Sequence, residues 1–396
     1  MSSLPLTRTA APFPFRDSPK LGFHSIPLSS PDVSEEDRER VLAILSGTAL
    51  SLGPMLTAFE AAMADAAGTR FAVAVNSGTS ALHLCVKAAG IGEGDEVITT
   101  PFSFVASANC ALYERAIPRF VDIDIDTYNI DTSQIAARIN ARTRAILPVH
   151  VFGRPCDMRA INSVAQRHGL AVIEDSCEAI GATYEGRRVG SFGDSGAFAF
   201  YPNKQITTGE GGAVVTNNEN VARLCRSWRN QGRGEDGAWL QHERLGYNYR
   251  LSDINCALGL GQLSRLDYIL QKRKIVAETY HQALASVPAV IPPRPEAGMS
   301  WFVYVVRLQD EFTREHRDKI MASLRAEGIG CNSYFAPIHL QSFYREMFGF
   351  RRGDFPVTEH VADRTIALPF FNNLSPDQIE VVTSSLSRAI AKLKQR

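Results

Sequence analysis

The feature that most restricts this fold is a regular alternation between residues 71 and 216. Short apolar runs are separated by polar turns and by segments with helical spacing. Phe71–Val75, Glu96–Thr99, Pro118–Asp122, Ala145–Val149 and Ala171–Asp175 read as strands. Ala81–Ala89, Phe104–Arg115, Ser133–Ile139 and Asp157–His168 read as the helices between them. Ala197–Tyr201 and Gly212–Thr216 are two further strands, paired as a hairpin or lying as sheet neighbours. Strands alternating with helices predict an α/β fold whose mostly parallel sheet is covered on both faces. Ligands of such sheets collect at the carboxyl ends of the strands. Asn76-Ser77-Gly78-Thr79 and Glu174-Asp175 both stand at such ends.

The flanks extend this picture. Ser34 and Asp37 make a capping-box pair for a helix that carries Val41, Leu42 and Leu45 inward and stops near Gly47. A second helix covers Pro54–Ala67 and ends at Gly68. From Leu251 to about Leu284 the pattern is helical, a spine joining two lobes. Phe302–Leu308 reads as a strand and Glu315–Glu327 as a helix. An irregular stretch then runs to about Thr365, and Pro376–Leu393 forms a terminal helix. A chain of 396 residues exceeds what one core usually holds. The expected division is an arm over 1–25, a large domain over 26–270 and a smaller α+β domain over 271–396.

Composition excludes several function classes. Lys+Arg and Asp+Glu are both 42, so no net charge draws the whole molecule to nucleic acid or anionic lipid. No apolar run reaches the roughly 18 residues of a membrane span. The N-terminal residues lack the apolar core of a signal peptide. The seven cysteines are scattered without a CxxC pair, which predicts a reduced, cytoplasmic location and no structural zinc. His83, His150, His168, His242 and His339 form no metal pattern, and His339 is a candidate for the substrate mouth. Arg226, Arg229 and Arg233, near Trp228, read either as a solvated face or as a contact for an anionic sugar nucleotide.

Three places can carry chemistry. Ser77-Gly78-Thr79-Ser80 combines a permissive glycine, two flanking hydroxyl types and the positive end of the following helix, a set that suits an anion or a plain helix cap. Asp175 closes an apolar strand, where an unpaired carboxylate is expensive, so it caps the next segment or faces a cation in a cleft. Lys204 follows a strand and a proline turn and precedes Gly209-Glu210-Gly211-Gly212. A lysine so placed can form an imine when burial or charge favours its neutral amine.

These stretches resemble the DegT/DnrJ/EryC1/StrS sugar aminotransferases among the fold-type-I pyridoxal-phosphate (PLP) enzymes. The likeness is carried by NSGTSALHL at 76–84, GDEVITTPFSFVASAN at 94–109, FVDIDIDTYNID at 120–131 and VHVFGRPCDM at 149–158. It continues in VIEDSCEAIGA at 172–182, FYPNKQITTGEGGAVVTNN at 200–218 and ERLGYNYRLSDINCALGLGQL at 243–263. The resemblance implies a large domain with a mostly parallel seven-stranded sheet and a smaller C-terminal domain. It implies that Lys204 holds PLP as a Schiff base and that Asp175 bonds the pyridine nitrogen. Phe104 would stack on the ring, Gly78, Thr79 and Ser80 would hold the phosphate, and Glu178 would bond a cofactor or substrate hydroxyl. Asn248 would reach the phosphate of the partner subunit, so the active site would need a homodimer.

Two positions depart from the commoner pattern. Residue 178 is Glu where many members have Gln or His, and residue 199 is Ala where several have a phosphate-binding Ser. A minority of the family replace the key lysine with His and act as dehydratases, and the Lys204 of this chain favours transamination. The expected reaction moves an amino group from glutamate to a nucleotide-linked keto sugar, with pyridoxamine phosphate between the two halves. Rivals are an aminotransferase for a keto-cyclitol or free keto sugar, the dehydratase, and a regulatory protein that retains PLP.

Overall fold

The computed structural model describes residues 25–234 and 241–394. The arm expected over residues 1–25 falls almost wholly outside them. The central sheet contains β1 (Phe71–Val75), β2 (Glu96–Thr99), β3 (Ile117–Phe120), β4 (Thr143–Ile146) and β5 (Ala171–Asp175). A small hairpin follows, β6 (Thr183–Tyr184) with β7 (Arg187–Arg188), before β8 (Ser195–Ala199) and β9 (Gly212–Thr216) complete the seven. Their order is β1-β9-β8-β5-β4-β2-β3. Only β9 runs against the rest, antiparallel to both β1 and β8. The two last strands are therefore sheet neighbours, and the chain joining them carries Lys204.

Alternation along each strand builds a core on both faces. Val73 and Val75 of β1 pack in one cluster with Val214. Ala72 and Ala74 pack in another with Ala213 and Val215. The helices of this part of the chain include α1 (Glu35–Leu45), α2 (Pro54–Ala67), α3 (Gly78–Ala88) and α4 (Ala106–Tyr113). They continue with α5 (Thr132–Arg138), α6 (Met158–His168), α7 (Glu219–Arg229), α8 (Asp253–Ser264) and α9 (Leu266–Leu284). Gly68 ends α2 at φ 66°, a left-handed turn that costs glycine little.

The region 251–284 is two helices, broken at Arg265. A Cβ on Gly259 of α8 would stand 2.5 Å from the Phe59 ring, so the small residue lets α8 lie close on α2. Leu266 and Ile269 of α9 join the large-sheet core, whereas Val276, Tyr280 and Leu284 join a second cluster. That cluster surrounds a three-stranded antiparallel sheet of β10 (Val290–Ile291), β11 (Tyr304–Leu308) and β12 (Thr365–Leu368). Helices α10 (Arg314–Ala326) and α13 (Pro376–Lys394) pack there too.

Several expectations are corrected. Leu42 and Leu45 of α1 are exposed, at 61% and 54%. A buried carboxylate anchors this helix instead: Asp37 meets Arg265 at 2.8 Å and Gln262 at 2.8 Å, besides its capping-box bond to Ser34. The stretch before Thr365 is not irregular throughout. It holds α11 (Ser342–Phe348) and α12 (Pro356–Ala362), pinned by buried Tyr344 and Phe355. Of the basic stretch, Arg226 and Arg229 end helix α7 and Arg233 lies beyond it; all three line one cleft, but Arg229 is not a solvated side chain. It is buried, ion-paired with Glu60, and donates to Ala74 O at 2.7 Å.

Candidate active site

The carboxyl ends of β1, β5 and β8 surround a cavity of about 480 Å³, within the range of small-molecule sites. At its first edge, β1 ends and the chain turns into α3. Ser77 caps the helix, its Oγ accepting from Ser80 N at 3.1 Å. Gly78 and Thr79 supply the first N–H groups, which precede the intrahelical ladder, and both residues line the cavity. Gly78 has a steric reason: a Cβ there would lie 2.6 Å from Ala199 Cβ and 3.0 Å from Cys177 Sγ. Gly212, paired with Val75, has another, since its Cβ would approach Ser77 O to 2.4 Å.

Asp175 closes β5 and is 4% exposed. Its neighbour Glu174 points to the other side of the sheet, where it accepts from the N–H groups of Gly190, Phe192 and Gly193. Asp175 Oδ2 accepts from Ser107 Oγ at 2.7 Å and Oδ1 from Cys177 N at 3.1 Å. Ser107 is itself bonded to Ser103 at 2.7 Å. Two fixed donors thus orient the carboxylate, and the residue lines the cavity.

Lys204 enters from the β8–β9 connection. That loop is tied down by Gln205 Nε2 to Glu178 O at 2.6 Å, Thr207 Oγ1 to Phe200 O at 3.0 Å and Asn255 Nδ2 to Thr208 O at 2.5 Å. Gly209 turns it at φ 82°, and a Cβ on Gly211 would strike Thr208 Oγ1 at 2.2 Å. The lysine side chain is 14% exposed. Its Nζ stands 4.0 Å above the Phe302 ring and 3.7 Å from Glu178 Oε1. Glu178 also accepts from Phe152 N at 2.9 Å. Burial raises the Glu178 carboxyl above the usual range, and the Lys204 charge offsets only part of that.

Phe104 lies at the mouth, 62% exposed, one turn ahead of buried Ser107. Phe302, Tyr334 and Phe335, from the region of the smaller sheet, close the opposite wall. Gly78, Thr79, Phe104, Asp175, Glu178 and Lys204 are therefore brought together. Ser80 is not: it is buried, and its hydroxyl donates to Asn76 Oδ1 at 2.7 Å. Asn248 stands exposed outside the cavity of its own chain. His339 is no part of the mouth; it is fully buried and bonded to Glu359 at 3.0 Å. Sequence reading missed Ser107, Phe302 and Tyr334. Ser107 was within reach, because it lies three residues past Phe104 at the start of a helix. The other two had no local signal.

Among the described residues, no group of three His, Cys, Asp or Glu side chains could hold a metal ion. Among them, too, no helix is long and apolar enough to cross a membrane. The donor set suits a phosphorylated pyridine aldehyde. It offers an amine for the carbonyl, a carboxylate already oriented for a protonated ring nitrogen, and helix-end N–H groups for a phosphate.

Comparison with known proteins agrees with that chemistry. The family model described as the DegT/DnrJ/EryC1/StrS aminotransferase family matches residues 31–387. The GDP-perosamine synthase of Caulobacter vibrioides is 38% identical over 370 residues, covering 92% of this chain and 98% of that protein. The solved structure of Helicobacter pylori PseC, an aminotransferase involved in the biosynthesis of pseudoaminic acid, superposes with a TM-score of 0.88 at 30% identity. It covers 93% of this chain and 100% of that one. The PMP-form of Spr1654, a putative sugar aminotransferase from Streptococcus pneumoniae, gives a TM-score of 0.89 at 26% identity over 93% and 100% of the two chains. The seven-stranded α/β fold is accordingly that of the fold-type-I aminotransferases, and the chain is an enzyme that belongs to the DegT/DnrJ/EryC1/StrS aminotransferase family.

Proposed function

We propose that this enzyme uses PLP, held between Lys204 and Asp175, to move an amino group from L-glutamate to a nucleotide-linked keto sugar, a 4-keto-6-deoxy sugar. The observation that carries the reading is that the Lys204 amine, the Asp175 carboxylate and the first turn of α3 share one cavity. When bound, PLP supplies an electron sink that stabilises negative charge at the donor α-carbon. The protein does the rest. Asp175, fixed by Ser107 and Cys177, opposes positive charge on the ring nitrogen. The N–H groups of Gly78 and Thr79 hold the phosphate. With PLP in place, the Lys204 amine would be the group to take and return a proton at the donor α-carbon as a general acid–base. Glu178 stands beside that amine, ready to bond a hydroxyl of cofactor or substrate. Phe104 would pack on the ring, and Phe302 and Tyr334 would help keep water from the cavity.

Asn248 is exposed and does not line the cavity of its own chain, which supports a homodimer in which it completes the partner's phosphate site. The lobes would divide near residue 270, along α9. The nucleotide-linked acceptor is supported by the GDP-perosamine synthase relative, and the sugar by PseC and Spr1654.

The test is a donor and acceptor screen with nucleotide-linked 3-keto and 4-keto sugars and a free keto-cyclitol. Ping-pong kinetics and one 2-oxoglutarate per aminated nucleotide sugar are expected. Turnover of the cyclitol alone would move the substrate class, and no donor turnover with any acceptor would leave only PLP binding. Lys204→Ala should abolish the borohydride-reducible protein–PLP adduct. Persistence of an adduct at the same site would refute the lysine assignment.

A further inference from the structure

We propose that His83 and Glu114 are positioning residues that act across the subunit boundary: they hold Tyr247-Asn248-Tyr249 so that Asn248 is presented to the neighbouring copy's phosphate site. The proposal rests on the shared-site reading above.

The cluster joins three elements. His83 and Lys87 lie four residues apart on one face of α3, the helix whose first turn lines the chain's own cavity. Glu114 caps the end of α4. Its carboxylate accepts from His83 Nε2 at 2.8 Å, from Lys87 Nζ at 2.9 Å and from Tyr247 OH at 3.2 Å. His83 Nδ1 lies 3.1 Å from Tyr249 OH. A carboxylate only accepts, so Nε2 carries the imidazole proton and Nδ1 accepts from the tyrosine. Burial holds the His83 pKa below its ordinary value, with the bond to Glu114 offsetting part of that, so the ring is neutral at pH 7. The Tyr247 and Tyr249 rings stack at 4.9 Å and 10°, and the imidazole packs 4.9 Å from the Tyr247 ring.

Tyr247 and Tyr249 are two residues apart and both turn into this cluster. Extended backbone sends the residue between them the other way, and Asn248 is exposed. Its backbone is pinned as well, by a bridge to Asn230, by Asn76 Nδ2 to Asn248 O at 3.4 Å and by Asn76 N to Tyr249 O at 2.9 Å. A nearly buried imidazole and a carboxylate are a costly way to fill space, since apolar packing would stabilise as well. What they add is direction: each bond fixes where a tyrosine hydroxyl sits, and hence which way the intervening amide points. One helix would so serve two phosphates, its own chain's at the first turn and the neighbour's through His83.

Mixed dimers decide the matter. Tyr249→Phe keeps the ring stack and removes one hydroxyl, and as a homodimer it should weaken PLP binding about fivefold. His83→Ala should weaken it about tenfold or more, and His83→Gln, which keeps a donor and an acceptor, should recover most of that. Each variant is then paired with a Lys204→Ala chain. The only competent lysine now sits in the variant chain, and an unaltered Tyr247-Asn248-Tyr249 segment completes its site. PLP titration, with borohydride trapping on that chain, should show wild-type affinity again. Affinity that stays weak places the effect within the chain's own cradle and overturns the proposal. A parallel Asn248→Ala and Lys204→Ala pair tests the underlying reading alone. If it shows no recovery the shared site itself is wrong, whatever His83 does. Should His83→Ala fail to fold, the Tyr249→Phe pair separates the same two outcomes, recovery or persistent weakness.

Discussion

Gly78→Ala is a sharp test of where the phosphate rests. The added methyl would lie 2.6 Å from Ala199 Cβ, 3.0 Å from Cys177 Sγ and 3.4 Å from Ala199 Cα. Carbon atoms pack at about 3.5–4.0 Å, so α3 and β8 must part by roughly 1 Å. Neither neighbour is the free end of a flexible side chain. Overpacking of this kind costs about 1–3 kcal/mol. With unfolding entropy near 2.1 cal/mol/K per residue, a chain of this size should lose roughly 1–4 °C in Tm. The functional effect should be larger. Hydrogen bonds weaken steeply beyond about 3.2 Å, so a 1 Å displacement of the first turn removes at least one charge-assisted bond. Such a bond is worth about 1.5–3 kcal/mol, and PLP affinity should fall roughly 10- to 100-fold. Differential scanning fluorimetry and PLP titration by absorbance read the two quantities. Adding Ala199→Gly removes the nearest clashing atom and should restore part of the binding, with a coupling above about 0.5 kcal/mol. Wild-type PLP affinity in Gly78→Ala would show that no phosphate sits at this helix end. Absence of rescue by Ala199→Gly would show that crowding is not the cause.

Other outcomes follow from the same geometry. Ser107→Ala removes the 2.7 Å bond that orients Asp175. A hydrogen bond to a charged group is worth about 1.5–3 kcal/mol, so PLP affinity should fall about tenfold or more, and Ser107→Thr should restore it; unchanged titration of the alanine variant would refute the orienting role. Acid should weaken the fold through the His83 cluster, where Lys87 of α3, Tyr113 and Glu114 of α4, and Tyr247 and Tyr249 all face the imidazole. The folded-state pKa of His83 lies below its ordinary 6.5 because of burial. The unfolded chain therefore binds more protons between those two values, and stability rises with pH across that window. The His83 contribution should be complete above pH 6.5 and decline below it, and His83→Gln should flatten the slope. Urea midpoints measured from pH 7.5 to 5.5 would expose the opposite trend if the imidazole were charged in the native state.

Much of this protein was written locally. β1, β2, β5, β9 and α2 begin and end where the sequence marks them, because apolar runs meet polar or turn-forming residues near those points. The Ser34–Asp37 capping box is equally local, a bond across three residues. Lys204 and Asp175 stood out through the family resemblance of the segments around them, and the fold brings both to one cavity. Neighbours further along the chain decided the rest. The apolar pattern of α1 marks a stripe but cannot say that Asp37, rather than Leu42, meets the body of the protein. Arg229 of α7 reads as part of a solvated face or an anion contact, and only the fold shows Glu60 and β1 packed against it. Phe302 and Tyr334 reach Lys204 across about 100 residues or more of chain. Periodicity reports contacts within a few residues, where backbone geometry alone sets the spacing. Which distant faces meet depends on how all the layers pack at once, and only the tertiary structure records that.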